Sequence, residues 1–250
     1  MIDLLTLEDY CNKLLSVEAF EDYCPNGIHV EASKEVRKLM VGVTACQALI
    51  EEAVSWGADA LLVHHGYFWK GEPQSLRGIK GRRIAALFRE EISLLAYHLP
   101  LDAHEIYGNN RQLGNLLGLT QAEPSQAGHG LVWTATLPQP MSPQDLGSQL
   151  GDALGQAPLH ISADQQLLKR IGWCTGAAQG YIEAAAELGL DAYISGEISE
   201  PTVHLARELG VDYFAAGHHA TERYGVQALG QHLAGRFKLE CRFCDIKNPV

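Results

Sequence analysis

Three short segments of the chain carry side chains that could bind divalent metal ions. The candidate ligands are His64, His65, His98, Asp102, His218 and Glu222. Imidazole and carboxylate groups are a usual ligand combination for zinc, iron, manganese or nickel. Six such groups are more than one tetrahedral ion requires, whereas two ions about 3.5–4 Å apart, bridged by one carboxylate, would use them. The residue types therefore predict a two-metal centre.

The first pair of adjacent histidines raises a geometric problem. It follows the apolar run of residues 60–63, which is typical of a short strand. Neighbouring side chains of a regular strand point to opposite faces, so such a strand cannot direct both imidazoles to one point. We therefore expect the strand to break at Gly66, so that His64 and His65 turn to different ions.

Each candidate ligand also has an interpretation without metal. Histidines at strand ends can cap backbone groups, Asp102 could be the N-cap of a helix, and Glu222 could interact with a helix dipole. The second histidine pair adds an ambiguity, because Glu222 lies four residues after His218 and three after His219. Both spacings fit one face of a helix, so the sequence does not choose between these histidines.

The elements that must position these residues recur along the chain. In three places a helix-like stretch ends in Gly-x-Asp, which leads into a short apolar strand and then into polar residues. The glycine suits the C-terminus of a helix, and the turn returns the chain to a sheet. The three Gly-x-Asp segments are residues 57–59, 189–191 and 210–212. This pattern predicts αβ units.

The repeated units predict an α/β fold made of two pseudo-symmetric lobes with mixed sheets. Residues 41–44 and 171–175 both resemble strands that enter such a unit. A seam rich in Ala, Pro, Ser, Gln and Gly at residues 121–130 places the boundary, with lobes at residues 1–125 and 126–250 interlocked as one unit. Because ligands of open α/β sheets collect beyond the carboxyl ends of the strands, we expect the metal site in the crevice between the lobes.

The composition disfavours several classes of protein. The chain has 250 residues, of which 46% are hydrophobic, and its 19 Lys and Arg against 30 Asp and Glu give a net charge of −11. This charge disfavours binding to nucleic-acid backbones or anionic membranes. No uncharged apolar run approaches the roughly 18 residues of a membrane span, so we expect a soluble, cytoplasmic protein.

Other familiar sites have no support in the sequence. Cys241 and Cys244 have chelating spacing, but they fall in a strand-like segment where residues three apart face opposite ways. Six cysteines in a chain of this length do not suggest a disulfide framework. The motifs of P-loop, dinucleotide-binding and serine-hydrolase proteins are absent.

Several separated motifs support a specific resemblance. The main ones are Val-His-His-Gly-Tyr-Phe-Trp-Lys at residues 63–70, His-Leu-Pro-Leu-Asp at residues 98–102 and Gly-His-His-Ala-Thr-Glu at residues 217–222. In this order they resemble the Nif-three-like dinuclear-metal family, whose bacterial members are often labelled GTP cyclohydrolase 1 type 2 homologues. Cys-Pro-Asn-Gly-Ile at residues 24–28 and Ser-Gly-Glu at residues 195–197 resemble two further segments of that family.

The resemblance implies a two-lobed α/β fold with related halves and a toroidal homohexamer whose metal sites face an inner cavity. The ligands it implies for two divalent ions are His64, His65, Asp102, His218 and Glu222. Glu222 is then the expected bridge, and His98 acts in proton transfer or as a further ligand. The ions could be zinc, iron, manganese or nickel.

The function that the resemblance implies is metal-dependent hydrolysis of a nucleotide-like small molecule. Two cations would lower the pKa of a shared water, and His98 could move the proton to the leaving group. The family label suggests attack at C8 of a guanine ring, as in ring opening of the GTP cyclohydrolase type, while a phosphoester would suit the same metals. Lys70 is a candidate for phosphate contact. Trp69 and Phe68 either form a base-stacking wall or pack against the neighbouring lobe.

A protein that binds or delivers metal, or a partner-binding ring with little turnover, is the alternative. An enzyme should lose activity but keep its metal when His98 is replaced, whereas a metal carrier should show exchangeable ions and no substrate pocket. The sequence does not separate these functions, and it leaves the roles of His219, Glu197 and Lys70 open.

Overall fold

The structure is a computed structural model that describes the chain from Met1 to Val250, and its elements are of mixed α and β type. The strands are β1 (Ile2–Asp3), β2 (Gly27–Val30), β3 (Glu35–Val36), β4 (Lys38–Thr44), β5 (Ala60–His65), β6 (Ser93–Ala96), β7 (Glu123–Pro124), β8 (Trp133–Met141), β9 (Leu159–Ile161), β10 (Leu168–Cys174), β11 (Ala192–Ser195), β12 (Asp212–Ala215) and β13 (Glu240–Phe243). The helices are α1 (Leu4–Leu14), α2 (Gln47–Trp56), α3 (Gly78–Arg89), α4 (Leu99–Ala103), α5 (Asn109–Leu116), α6 (Pro143–Leu154), α7 (Ile182–Glu187), α8 (Glu200–Leu209) and α9 (His218–Phe237). None of these helices combines the length and apolar character that crossing a bilayer requires.

Two compact units divide the chain between them. The first comprises Met1–Gly108 and Gly225–Ile246, and the second comprises Asn109–Tyr224 and Lys247–Val250. The first unit therefore combines the N-terminal part of the chain with a segment near its C-terminus. Helix α9 begins in the second unit and ends in the first.

The first unit is built on a five-stranded sheet in the order β13-β4-β5-β6-β2. Strand β2 is antiparallel to β6, and the other neighbours are parallel. The central strands are buried on both faces, which explains their nearly continuous apolar sequences. Leu62 packs in a cluster with Leu229 and Leu233 of α9, whereas its neighbour Leu61 packs in a cluster with Leu49 of α2. The alternation of the pleat thus divides one apolar strand between two cores.

The second unit is built on a six-stranded sheet in the order β7-β8-β10-β11-β12-β9. Strands β10, β11 and β12 are parallel, while β7, β8 and β9 pair antiparallel. Trp133, Trp173, Ile194 and Phe214 are fully buried in its core. Helices α7 and α8 lead into β11 and β12, so the mixed α/β class and the αβ units predicted from the sequence are confirmed.

The aspartates of two Gly-x-Asp segments have the same structural role. The Oδ2 atom of Asp59 accepts both backbone N–H groups of residues 37–38, each at 2.8 Å. The Oδ2 atom of Asp191 accepts the N–H groups of residues 169–170 at 2.6 and 2.8 Å. Each carboxylate therefore caps backbone N–H groups near the start of the neighbouring parallel strand. In both repeats the aspartate follows those residues by the same number of positions. These aspartates stabilise the repeated unit and lie outside the candidate site.

We expect Asp191→Ala to lower the free energy of unfolding by about 1–3 kcal/mol, because two backbone donors lose a charged acceptor. Urea denaturation measures the loss, and metal content should stay unchanged. Asp152→Ala, which removes an exposed aspartate of α6, is the matched control. Equal stability of the two variants would contradict the capping role.

Candidate metal centre

Strand β5 ends in the first histidine pair. His64 is buried, and its Nδ1 lies 2.8 Å from the carbonyl oxygen of Tyr97, while Nδ1 of His65 lies 3.2 Å from Oγ1 of Thr44. The two imidazole rings are only 4.6 Å apart between centroids and are inclined by 46°. Because the strand ends at His65, the predicted break at Gly66 is confirmed.

The two rings can approach each other because β5 has fewer neighbours at its end. Its pairing with β6 stops at Val63, whereas its pairing with β4 continues to His65. A strand end that is hydrogen-bonded on one side is less tightly held to the regular alternation of side chains. The imidazole rings of these consecutive residues therefore lie close together.

Asp102 lies on α4, close to the first of these histidines. Its Oδ1 is 3.4 Å from Nε2 of His64, and the two side chains are 9% and 0% exposed. Helix α4 begins at Leu99 and has His98 at its N-cap position, so the interpretation of Asp102 as an N-cap is wrong. A carboxylate removed from water requires a charged or hydrogen-bonding partner, and an imidazole or a bound cation supplies one.

His98 places a third imidazole beside the pair. One nitrogen of His98 lies within 4.8 Å of a nitrogen of His64 and of His65. Its Nδ1 is 2.7 Å from Oδ1 of Asp22. Burial acts to raise the pKa of Asp22, but the hydrogen bond and charge of His98, together with further hydrogen bonds, outweigh it and lower this pKa to about 2. Asp22, which no sequence motif singles out, is therefore ionised opposite His98.

The loop after β5 presents one aromatic side chain to the histidines and packs the other, partly buried, against the core. The Trp69 ring lies 5.0 Å from that of His98, at 85°, and 5.9 Å from that of His65. Phe68 has a positive φ of 67° and packs against the core of the first unit. Lys70 is exposed. Of the two aromatic residues considered for a stacking wall, Trp69 is the one beside the imidazoles.

In the second unit, His218 and Glu222 face each other at the start of α9. Nε2 of His218 is 3.1 Å from Oε2 of Glu222, and its Nδ1 is 2.7 Å from Oε1 of Glu197. Burial acts to lower the pKa of His218, but the hydrogen bonds and charges of Glu222 and Glu197 outweigh it and raise this pKa to about 9. Two carboxylates around one imidazole favour positive charge at this point.

These contacts bear on two questions that the sequence left open. The spacing of four residues on α9 brings His218 and Glu222 into contact. Glu197 accepts a hydrogen bond from Nδ1 of His218, and this contact restrains the ring. A metal-binding histidine usually has such a partner on the nitrogen that faces away from the ion.

Gly176 supports the second pair of side chains through its missing Cβ. Its φ is +69°, and a Cβ at this position would collide with the carboxylate of Glu222. Its N–H donates to Oγ1 of Thr221 at 3.1 Å, and its carbonyl accepts the N–H groups of Gly196 and Glu197 at 2.8 and 3.2 Å. The backbone at Gly176 thus forms one wall of the space that the Glu222 carboxylate occupies. No sequence motif singles out Gly176, although it follows a predicted strand.

The donors in both units suit divalent cations. The structure contains clusters of His, Asp and Glu side chains that could bind a metal. The Nδ1 atoms of His64, His65 and His218 face a carbonyl, a hydroxyl and a carboxylate, respectively, which leaves Nε2 as the nitrogen on the opposite side of each ring. With a cation in place of any proton on Nε2, imidazoles oriented in this way, with buried carboxylates beside them, match the ligand preferences of zinc, iron, manganese and nickel.

Comparison with known proteins gives a consistent result over the whole chain. The model of a family described as Duf34/NIF3 (NGG1p interacting factor 3) matches residues 2–249. A protein of Allochromatium vinosum named GTP cyclohydrolase 1 type 2 homolog is 51% identical over 250 residues, which cover 100% of this chain and 98% of the relative. A protein of Escherichia coli with the same name is 47% identical over 248 residues, which cover 98% of both chains. The resemblance inferred from the sequence motifs is confirmed.

Solved structures show the same similarity in three dimensions. The structural-genomics protein ybgI, described as of unknown function, matches with a TM-score of 0.96 and 45% identity, and each chain is fully covered. TTHA1606 from Thermus thermophilus matches with a TM-score of 0.89 and 33% identity, again over both whole chains. Reduced HcgD from Methanocaldococcus jannaschii, at 21% identity and a TM-score of 0.85 over 97% of both chains, shares the fold.

Proposed function

Since the chain belongs to the Duf34/NIF3 family, we propose that it is a dinuclear-metal-dependent hydrolase of nucleotide-like small molecules. The ligands of its two divalent ions are His64, His65, Asp102, His218 and Glu222. Glu222 would be the carboxylate shared by the two ions, which a separation of about 3.5–4 Å between the ions allows. Zinc, iron, manganese and nickel all accept this mixture of imidazole and carboxylate.

The observation that carries this proposal is the pair of side-by-side imidazoles at the end of β5. The His64 and His65 rings are 4.6 Å apart, and Oδ1 of Asp102 is 3.4 Å from Nε2 of His64. The family resemblance implies that these three ligands act together with His218 and Glu222 on the two ions.

Two bound cations would lower the pKa of a water molecule and neutralise negative charge that develops on the substrate. The protein side chains have separate tasks around that chemistry. His98 takes up the proton of the attacking water and returns it to the leaving group. Trp69, which lies against His98 and His65, forms a flat apolar wall that suits a planar base and keeps water away from the imidazoles. Glu197 holds the ring of His218.

The proposed substrate class follows from the names of the relatives. Two relatives that match the whole chain at 51% identity are named GTP cyclohydrolase 1 type 2 homolog. A purine nucleotide is therefore the first candidate, with ring opening after attack at C8 of the guanine ring, and phosphoesters are the second. The proposal includes the homohexameric ring and the cytoplasmic location that the family resemblance implies. Sedimentation should then give a mass about six times that of the 27.3 kDa chain.

The decisive experiment is a screen of the metal-reconstituted protein against nucleotides and phosphoesters. Protein reconstituted separately with zinc, iron, manganese or nickel is incubated with each compound, and products are separated by liquid chromatography. We expect turnover of a nucleotide, and we expect Asp102→Ala to lower metal affinity at least about tenfold and to abolish turnover. Asp152→Ala, at an exposed position of α6, is the matched control and should behave like the wild type.

The same screen addresses the alternative function. A protein that carries metal would bind ions, release them readily to a chelator and turn over none of the compounds. That result, with metal bound in a ratio of two ions to one chain, would reject the hydrolase and retain the metal centre. Turnover that survives Asp102→Ala would reject the proposed site itself.

A further inference from the structure

Asp22 and His98 form a buried carboxylate–imidazole pair beside the proposed ligands. Oδ1 of Asp22 and Nδ1 of His98 are 2.7 Å apart, and the two side chains are 3% and 14% exposed, respectively. An ionised carboxylate can only accept a hydrogen bond, so the proton between these atoms lies on Nδ1 of His98. In a neutral imidazole, Nε2 is then the nitrogen without a proton.

Side chains of the loop that contains Asp22 also hold the backbone at His98 and at Leu99. Oδ1 of Asn26 accepts the N–H of His98 at 2.8 Å, and Oδ2 of Asp22 accepts the N–H of Leu99 at 2.9 Å. Nδ2 of Asn26 also donates to Oδ2 of Asp22 at 2.9 Å, which fixes the two loop side chains to each other. Ring and backbone of His98 are thus both restrained, and the direction of Nε2 is defined.

The partner of His98 differs in charge from those of the neighbouring rings. Nδ1 of His64 bonds to a carbonyl oxygen and Nδ1 of His65 lies beside a hydroxyl, whereas Nδ1 of His98 bonds to the carboxylate of Asp22. A carboxylate stabilises the imidazolium that forms when the opposite nitrogen takes up a proton. His98 therefore has the partner expected of a proton carrier.

We propose that Asp22 is a positioning residue that holds His98 in the tautomer with the proton on Nδ1, so that Nε2 accepts the proton released during hydrolysis. This inference rests on the proposed function, in which His98 carries that proton. The proton of the attacking water passes to Nε2, the resulting imidazolium is stabilised by Asp22, and the same proton then passes to the leaving group. Asp22 touches neither the substrate nor the ions in this scheme.

A different use of these residues is a metal site of their own. Donor atoms of Asp22, Cys24 and His98 lie within 4.8 Å of one another. However, Asp22 already accepts hydrogen bonds from His98, Asn26 and the N–H groups of Tyr23 and Leu99. Burial and the charge of Asp22 also raise the pKa of the Cys24 thiol to about 12, which opposes the thiolate that a metal would need. The positioning role therefore explains the contacts better.

The test is the protonation of the His98 ring in the zinc-reconstituted protein and in Asp22→Asn. Solid-state ¹⁵N spectra of histidine-labelled protein report each ring nitrogen, and the signals of His98 are those lost in His98→Gln. We expect the wild type to carry the proton on Nδ1. In Asp22→Asn the amide oxygen should remain on the side of Leu99 N–H and Asn26, because two donors face Oδ2 there, whereas Oδ1 faces one backbone donor, the N–H of Tyr23, besides His98. The amide NH₂ then faces His98 and should move its proton to Nε2.

Three further measurements separate positioning from a general structural role. Asp22→Asn should keep the zinc content of the wild type, and on any nucleotide that the wild type turns over it should lower kcat at least about tenfold with KM unchanged. Asn26→Ala disturbs the same loop without touching Nδ1, so its tautomer should be that of the wild type. Glu200→Gln, which alters the exposed pair of Glu200 and His204, should change neither the zinc content nor kcat.

Several results would overturn this inference without deciding the hydrolase proposal. A wild-type His98 with its proton on Nε2 would do so whether or not Asp22→Asn folds. An unchanged tautomer in Asp22→Asn would also overturn it. A loss of zinc from this variant would overturn it as well, because Asp22 would then be part of a metal site. The spectra need no turnover, so failure of the substrate screen leaves this test intact.

Discussion

Glu222→Gln is expected to release both metal ions instead of one. Glu222 is 2% exposed, and its Oε2 lies 3.1 Å from Nε2 of His218. A carboxylate can offer one charged oxygen to each of two cations, whereas an amide offers one neutral oxygen and an NH₂ group that repels them. The substitution keeps the size of the side chain, so the loss should come from charge and not from packing.

The expected loss of affinity is at least about 100-fold, because replacing a partner that only orients a ligand already costs about 10–100-fold. Elemental analysis after dialysis should show about two divalent ions per chain in the wild type, as a two-metal centre requires, and well below one in Glu222→Gln. Glu208→Gln removes the same charge from an exposed position of α8 and is the matched control. Loss of a single ion would show that Glu222 is a terminal ligand and would reject its bridging role.

Gly176→Ala should damage the same site from the opposite side, through a single added methyl group. Two effects combine at this position: φ is +69°, which costs an L-residue about 1–2 kcal/mol, and the new Cβ would collide with the Glu222 carboxylate. The carboxylate must then move away from its place beside His218. We expect metal affinity to fall about 10–100-fold, as when an orienting contact is lost.

Gly210→Ala separates these two effects. Gly210 has a φ of +71°, and a Cβ there would have nothing within 4 Å. Gly210→Ala therefore destabilises the protein only through the backbone conformation. Urea denaturation should show that the free energy of unfolding falls by about 1–2 kcal/mol, while the metal content is unchanged. Gly176→Ala should show at least that loss of stability together with the loss of metal. If the two variants retain metal equally well, the collision with Glu222 has no functional consequence.

The family resemblance and the local elements could be predicted from the sequence. The apolar run before His64 predicted a strand that breaks at Gly66, and the structure ends β5 at His65. The Gly-x-Asp segments predicted αβ turns, and the glycine at position 57 has the left-handed C-cap conformation. Such features depend on neighbours within a few residues, so periodicity and turn chemistry are enough to recognise them.

The orientation of the loop aromatics could not be predicted in this way. Trp69 and Phe68 are adjacent and equally apolar, and the sequence left both as candidates for a stacking wall. The positive φ of Phe68 breaks the alternation, so that the Phe68 ring packs against the edge of the core while the Trp69 ring lies beside His98. A left-handed aromatic residue is uncommon, and its surroundings must enforce it.

The sequence by itself determined the candidate ligand types, the strand ends that carry them and the mixed α/β class. Only the tertiary structure showed that Asp22 bonds to His98 across 76 positions of the chain, and that Gly176 lies against Glu222. These partners have no periodic relation in the sequence. Their contacts arise from the pairing of strands and the packing of loops, which bring distant residues within hydrogen-bonding range, and local patterns carry no record of that arrangement.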